Sequence, residues 1–269
     1  MSIIPPGLAR LLQFYLSGPL PCPYLPDRVE RKLFTRLTGD TTTDSEINSI
    51  LTRSGFRRSH DIVYRPVCTS CTACTPVRIP VNSFKPSYSL RRIAQINRDL
   101  VLETTDTDVT DEHYRLFIRY QKSRHADSDM AHMTPDDFIA MLKEGEANTC
   151  LYLLRASSAS GQPGSLMGAI VADLVQDGFS AVYSYFDPDF PRRSLGIQLI
   201  LTLISETARR DLPYVYLGYW ISTARKMAYK ERFRPMQVLG GQGWTALAEN
   251  TSSPESIRPT DEETFIIPE

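Results

Sequence analysis

The chain of 269 residues has no apolar run approaching the roughly 20 residues that a membrane-crossing helix needs, which excludes an integral helical membrane protein. Its first residues also lack the basic, then apolar, then small-residue order of an export signal, so a cytoplasmic location is expected. Cysteines are few and odd in number: Cys22, Cys68, Cys71, Cys74 and Cys150. Without an export signal a disulfide framework explains them poorly, which leaves thiols or metal ligands. The formal net charge is only −1, and no internal repeat is apparent. What is present is an ordinary globular composition, long enough for two modest domains or for one core with an elaborated N-terminal part.

The charge that cancels overall is unevenly placed. Residues 1 to 100 hold 14 Lys and Arg against 7 Asp and Glu, whereas residues 101 to 269 hold 16 against 24. A basic first third suits an anionic partner such as RNA, or forms a solvated basic surface. The expected organisation is an N-terminal domain over 1–100 that carries the cysteine cluster, a second domain over 101–244, and a disordered tail over 245–269 rich in Ser, Thr, Pro and acids.

Pro and Gly up to about residue 30 limit that arm to one short helix around Leu8 to Leu16. Ile47, Ile50 and Leu51 share a face and predict a helix over Glu46–Arg53, capped by Asp44 or Ser45 and stopped by Gly55. Turns and strands come next over Phe56–Val81, then a short basic helix over Arg91–Asp99 and a strand over Leu100–Glu103. Helices are predicted from Thr110 to about Lys122, with Asp111 and Glu112 opposing the helix dipole, and from Thr134, with Pro135 in the first turn.

Three β-rich runs, Leu151–Ala156, Leu166–Val175 and Phe179–Phe186, separated by Gly-containing turns, read as an antiparallel meander. An apolar-faced helix over Leu195–Ala208 and a buried parallel strand over Tyr214–Trp220 complete a strand, helix, strand unit. A second helix over Thr223–Phe233 and a strand over Met236–Leu239 close the domain. The fold class expected is therefore α+β, a mixed sheet flanked by helices.

Several clusters bear on chemistry. Arg193 and Gly196 reproduce the R-x-x-G half of the pyrophosphate loop of the GNAT acyltransferases, where backbone N–H groups at a helix start face phosphate. Gln198 stands where Gly or Ala is expected and Asp187 and Asp189 precede, which tells against coenzyme A. Cys68, Cys71 and Cys74 with Cys22 supply four thiols for zinc or an iron–sulfur cluster, or stay reduced in a compact loop. Arg124 and His125 at a helix end are candidates to bind a carboxylate, or are cations favoured by the helix dipole. Tyr183, Tyr185, Tyr219 and Trp220 lie on strands, where alternation sends half of such residues into the core and leaves the rest to stack on an adenine or an aminoacyl group. Lys226, Tyr229 and Lys230 are expected on one cation-rich helix face.

These stretches, in order, resemble the arginyl-tRNA protein transferase family, and within it the bacterial aspartate/glutamate leucyltransferases. The resemblance is carried by Pro21-Cys-Pro-Tyr-Leu-Pro26, Gly55-Phe-Arg-Arg-Ser59, the run from Tyr64 through the three cysteines to Val81, Arg119-Tyr-x-x-x-Arg-His125, Phe179–Tyr183, Arg193–Gly196, Tyr214–Ile221 and Lys226–Lys230. Tyr88 and Leu90 depart from its pattern, so no RNA contact is carried over to Tyr88.

The resemblance implies a GNAT-like fold with an added cysteine-bearing N-terminal domain. It also implies an N-end rule enzyme that needs no cofactor for transfer and moves Leu from leucyl-tRNA to proteins beginning with Asp or Glu. On that reading Lys226, Tyr229 and Asp173 are catalytic candidates, and Arg124 and His125 read the acceptor's acid. Tyr183, Tyr185, Tyr219, Trp220, Arg91 and Arg92 are candidates for holding the aminoacyl-tRNA. The rival readings are arginyl transfer, which needs a buried acid where leucine needs an apolar pocket, a coenzyme A dependent N-acetyltransferase, and a noncatalytic RNA-binding protein.

Overall fold

The frequent Pro and Gly of the first thirty residues cut the chain into short pairings. The computed structural model describes residues 12–105, 109–143, 148–157 and 164–248. It begins with β1 (Tyr15–Leu16), β2 (Leu20–Pro21), β3 (Val29–Glu30) and β4 (Lys32–Arg36). Of the helix expected around Leu8–Leu16, Tyr15 and Leu16 are instead strand, paired with Phe34 and Leu33; residues 1–11 lie outside the described residues. Helix α1 (Thr41–Arg53) starts earlier than expected because Asp40 is its cap, accepting from the Thr43 N–H at 2.9 Å. Asp44 is buried and accepts from Thr38 and Gly39.

Strands β5 (Arg57–Ser59) and β6 (Ile62–Pro66) join β1 and β4 in a four-stranded sheet of order β1-β4-β6-β5. After the cysteine loop come β7 (Thr75–Pro80), α2 (Tyr88–Ile96, capped by Ser87), β8 (Leu100–Thr105), α3 (Asp111–Arg124) and α4 (Pro135–Lys143). The meander is present as β9 (Thr149–Ala156), β10 (Leu166–Val175) and β11 (Gly178–Phe186), antiparallel throughout. The last elements are α5 (Leu195–Arg209), β12 (Tyr214–Trp220), β13 (Gln237–Gly240) and β14 (Gly243–Ala246). The helix expected over Thr223–Phe233 is a 3₁₀ segment, Arg225–Arg232.

The large sheet has eight strands in the order β14-β13-β7-β12-β11-β10-β9-β8. It is mixed, because β11 and β12 run parallel and their neighbours antiparallel. Helix α5 packs on β10, β11 and β12, and α3 packs on β10 and β11, giving the flanked mixed α+β sheet that the sequence suggests. Strand β7 belongs to the first hundred residues yet lies between β12 and β13, so the division expected at residue 100 is crossed by one continuous sheet. Residues 245 and 246, expected in the tail, pair in β14; residues 249–269 lie outside the described residues.

Two irregularities interrupt the middle of this sheet. Strands β11 and β12 pair only from Gly178–Ser180 to Tyr214–Tyr216. Just beyond that pairing each strand carries one extra residue relative to its other neighbour: β11 between Ala181 and Tyr183, and β12 between Tyr216 and Tyr219. A bulge reverses the in-out alternation downstream of it. Phe179 accordingly meets Tyr152, while Tyr183 and Tyr185 meet Phe117 of α3.

Candidate active site

Arg57 fills the gap where β11 and β12 stop pairing. It is buried, it donates to the Val182 carbonyl at the β11 bulge at 2.6 Å, and it packs on Gly218 at the β12 bulge. Gly218 has φ +68, and a Cβ there would lie 2.5 Å from Arg57 Nη1, so both the backbone and the guanidinium require glycine. The carbonyls beside this bulge are taken by Lys230, fully buried, whose Nζ donates to Leu217 O at 2.9 Å and to Tyr219 O. Burial and the nearby Arg57 hold the Lys230 ammonium well below the usual lysine pKa. Among the described residues neither cation is paired with a carboxylate.

The adjacent Arg58 is handled in the opposite way. Its guanidinium grips Asp173 of β10 through two contacts of 2.7 Å, and Asn48 and Thr149 complete the carboxylate's shell at 3.0 and 2.8 Å. Both partners are almost inaccessible to solvent. This pair fastens α1 and β5 to the large sheet.

Around the Arg57 wedge lie three cavities that share walls. The most open is a cleft of about 450 Å³ between the β2–β3 hairpin, the end of α3, β11 and the 3₁₀ segment. Its cations are Lys32 and Lys226, its carboxylates Glu30, Asp127 and Asp129, and its remaining polar groups include His125, Gln121 and Tyr183. Gln121 Nε2 donates to Tyr183 Oη at 2.7 Å, and Lys32 pairs with Glu30 at 3.0 Å. His125 closes α3, with its ring edge-on to Tyr120.

Asp129, Met130 and Tyr183 also line a second cavity of about 270 Å³, walled by Met, Leu and Val on one part and by Arg57, Arg58, Ser59 and His60 on another. Pro23, Tyr24, Glu30 and Lys32 also line a third, of about 50 Å³, onto which Cys22, Cys68, Cys71 and Cys74 all converge. Burial, with the three other thiols, pushes Cys74 up to about 12. Thiols together are a donor set for a thiophilic metal. As placed, however, no group of three His, Cys, Asp or Glu among the described residues is arranged to hold a metal ion.

The loop before α5 is occupied from within. Arg193 forms a two-pronged pair with Asp99 at 3.0 and 2.8 Å, Asn97 donates to its carbonyl, and Asp187 binds the Asp189 N–H and pairs with Arg119. Acids at this helix start oppose a pyrophosphate.

Residues 20–92 match the family model described as "Arginine-tRNA-protein transferase, N terminus", and residues 112–240 match its C-terminal counterpart. A protein of Phenylobacterium zucineum named aspartate/glutamate leucyltransferase is 42% identical over 94% of this chain and 96% of its own. One of the same name from a Bradyrhizobium species is 45% identical over 90% and 95%. The chain belongs to the arginine-tRNA-protein transferase family. Among solved structures, the C-terminal domain of a putative lysylphosphatidylglycerol synthetase from Agrobacterium fabrum aligns with TM-score 0.45 and 14% identity, over 73% of this chain and 66% of that one.

Of the residues expected to serve such a transferase, His125, Tyr183 and Lys226 line the cleft together. Others are placed elsewhere. Tyr185 is fully buried against Phe117 and Phe138, and Trp220 is buried in the main core, so neither presents a face to a ligand. Tyr219 is buried, and its hydroxyl is tied to the carbonyls of Gly55 and Tyr64. Asp173 lines none of the three cavities, and its oxygens are taken up by Arg58, Asn48 and Thr149.

Tyr229 is half-buried beside Lys230, and burial raises its pKa well above the usual tyrosine value. The 3₁₀ geometry separates Lys226, which is exposed, from Lys230, which is buried, so they do not form one cationic face. Arg124 closes α3 without lining the cleft, and Arg91 and Arg92 are exposed on α2.

Sequence reasoning gave no role to Arg57, Gln121, Lys32, Asp129 or Met130. Only Arg57 left a signal: two consecutive arginines after Gly55-Phe56, in a strand short enough to be covered on both faces.

Proposed function

We propose that this chain transfers leucine from leucyl-tRNA to the α-amine of proteins that begin with Asp or Glu, marking them for degradation. The observation that carries this reading is a cleft of mixed charge adjoining, at Asp129, Met130 and Tyr183, a cavity with a Met, Leu and Val wall. An acceptor that begins with Asp or Glu presents an anion beside an amine, and the cleft offers complementary groups to both. Lys226 and His125 receive the side-chain carboxylate. The acids Asp127 and Asp129 face the amine.

With a pKa of about 8 the acceptor amine is partly neutral near pH 7. The neutral amine attacks the carbonyl of the aminoacyl ester, a C–N amide bond forms, the ester C–O bond breaks, and the proton given up by the amine passes to the departing ribose oxygen, which leaves as the alcohol. Asp129, which lines both cavities, is proposed to relay that proton, and the Gln121–Tyr183 pair to orient the ester. Arg91 and Arg92, exposed on α2, are proposed phosphate contacts for the tRNA.

The rival donors are disfavoured. The α5 loop is filled by Arg193, Asp99 and Asp187, which tells against coenzyme A. A noncatalytic RNA-binding role gives no reason for a cleft joined to an apolar cavity. A metal held by Cys22, Cys68, Cys71 and Cys74 would tie the β2–β3 loop to the cysteine loop, outside the transfer step; elemental analysis of the purified protein tests it.

The test of the main reading is Lys226→Ala, assayed with labelled leucyl-tRNA and an Asp-starting peptide. A charge-assisted contact of about 1.5–3 kcal/mol corresponds to roughly a 10- to 150-fold loss. Lys226→Arg should recover part of it. Unchanged transfer in folded Lys226→Ala would remove the carboxylate-reading role.

A further inference from the structure

We infer that the leucyl side chain is read by the apolar cavity walled by Met130, Met133, Met141, Leu142, Val171 and Val182. This rests on the transfer reading above and says which part of the molecule selects the donor.

Three observations lead to it. The cavity adjoins the cleft, since Asp129, Met130 and Tyr183 line both, so an ester held at Tyr183 has its side chain next to it. Its volume of about 270 Å³ exceeds many times the share of roughly 30 Å³ that one water takes in the liquid. One part of its wall is Met, Leu and Val and another is Arg57, Arg58, Ser59, His60, Asp129 and Tyr183, so an aliphatic group that lies along the apolar part is favoured over solvent there.

The third observation concerns charge. Arg57 and Arg58 also border the cavity, but their charge is already engaged. Arg58 is committed to Asp173. Arg57 donates to Val182, and its field falls on Tyr24, Tyr64, Tyr219 and Tyr229, whose pKa values it lowers against the raising effect of burial. Besides these two arginines, Ser59, His60 and Tyr183 are its polar neighbours, and the carboxylate among the lining residues is the exposed Asp129. An arginyl side chain would approach two guanidiniums with no buried acid to meet it, whereas a leucyl side chain can lie along the Met, Leu and Val part of the wall.

Methionine fixes how sharp the selection is. Unbranched thioethers adapt to shape, so three of them in the apolar part of the wall give a cavity that separates aliphatic from charged donors sharply and neighbouring aliphatic donors weakly. One methylene in such a site is worth about 10- to 200-fold in selectivity at most.

The experiment loads one leucine tRNA chemically with Leu, Ala, Phe or Arg and measures transfer to an Asp-starting peptide by wild type, Met141→Ala and Val182→Phe. Wild type should prefer Leu and reject Arg. Met141→Ala should raise the Phe-to-Leu ratio at least about ten-fold, and Val182→Phe should lower the Leu-to-Ala ratio by a similar factor. Ratios are taken within each variant, so a partly unfolded sample, which scales every donor alike, leaves them unchanged. If wild type transfers Leu but both variants keep its donor ratios, the cavity assignment is overturned while the transfer reading stands. If wild type transfers from none of the four donors, the transfer reading itself fails.

Discussion

Arg57 and Arg58 are neighbours in one three-residue strand, both are buried, and the protein treats their charges differently. Arg58 meets a carboxylate with both donors aligned, and the pair's electrostatic influence is local. Arg57 meets a carbonyl and a glycine, so its charge is not cancelled and acts on the tyrosines between the cysteine pocket and the cleft. A buried ion that is neutralised fastens elements together; one that is solvated only by dipoles keeps a field that a substrate can feel. The first arrangement belongs to the scaffold and the second lies beside the site.

Four substitutions press on this contrast. The largest effect is expected from Arg58→Ala, which leaves Asp173 buried without its cation: about 3–5 kcal/mol of stability lost in denaturant unfolding. Lys230→Met should cost less, about 1–3 kcal/mol, because it orphans the carbonyls of Leu217 and Tyr219. It also carries a signature in pH. With the folded pKa held below the usual lysine value, the unfolded chain binds more protons between the two, so wild-type stability rises with pH toward the ordinary lysine range. Below the lowered folded value the penalty is constant. Subtracting the Lys230→Met profile isolates this slope from tyrosine titration, and equal slopes in the two proteins would contradict it.

Gly218→Ala comes next. The positive φ alone costs roughly 1–2 kcal/mol, and the new methyl pushes on Arg57, so transfer should fall in a protein that still folds. Arg193→Ala should matter least, about 0–1 kcal/mol by thermal melting, because both it and its partner Asp99 are partly exposed. That loss should shrink further in added salt.

The meander, α5 and β12 were legible because period-two and 3.6-residue patterns survive wherever a sheet or helix has one buried face. The aromatic site residues were not. Alternation places Tyr183 and Tyr185 on one face of β11, which is true, but gives no way to know that Tyr183 borders the cleft while Tyr185 sits over Phe138. In β12 the bulge at Gly218 changes which side Tyr219 and Trp220 occupy, and both end up buried. Asp173, a mid-strand carboxylate among the catalytic candidates, is instead held by Arg58, more than a hundred residues earlier in the chain, and no local pattern carries such a pairing.

Strand β7 sets a constraint of a different kind, on synthesis. It leaves the ribosome early, flanked by nothing with which it can pair, because both of its partners, β12 and β13, are encoded near the far end of the chain. The apolar side chains of Val77 and Ile79 must therefore wait, exposed, until β12 and β13 have been made. A nascent chain arrested before Tyr214 should be a ready substrate for holding chaperones, and one released after Ala246 should not.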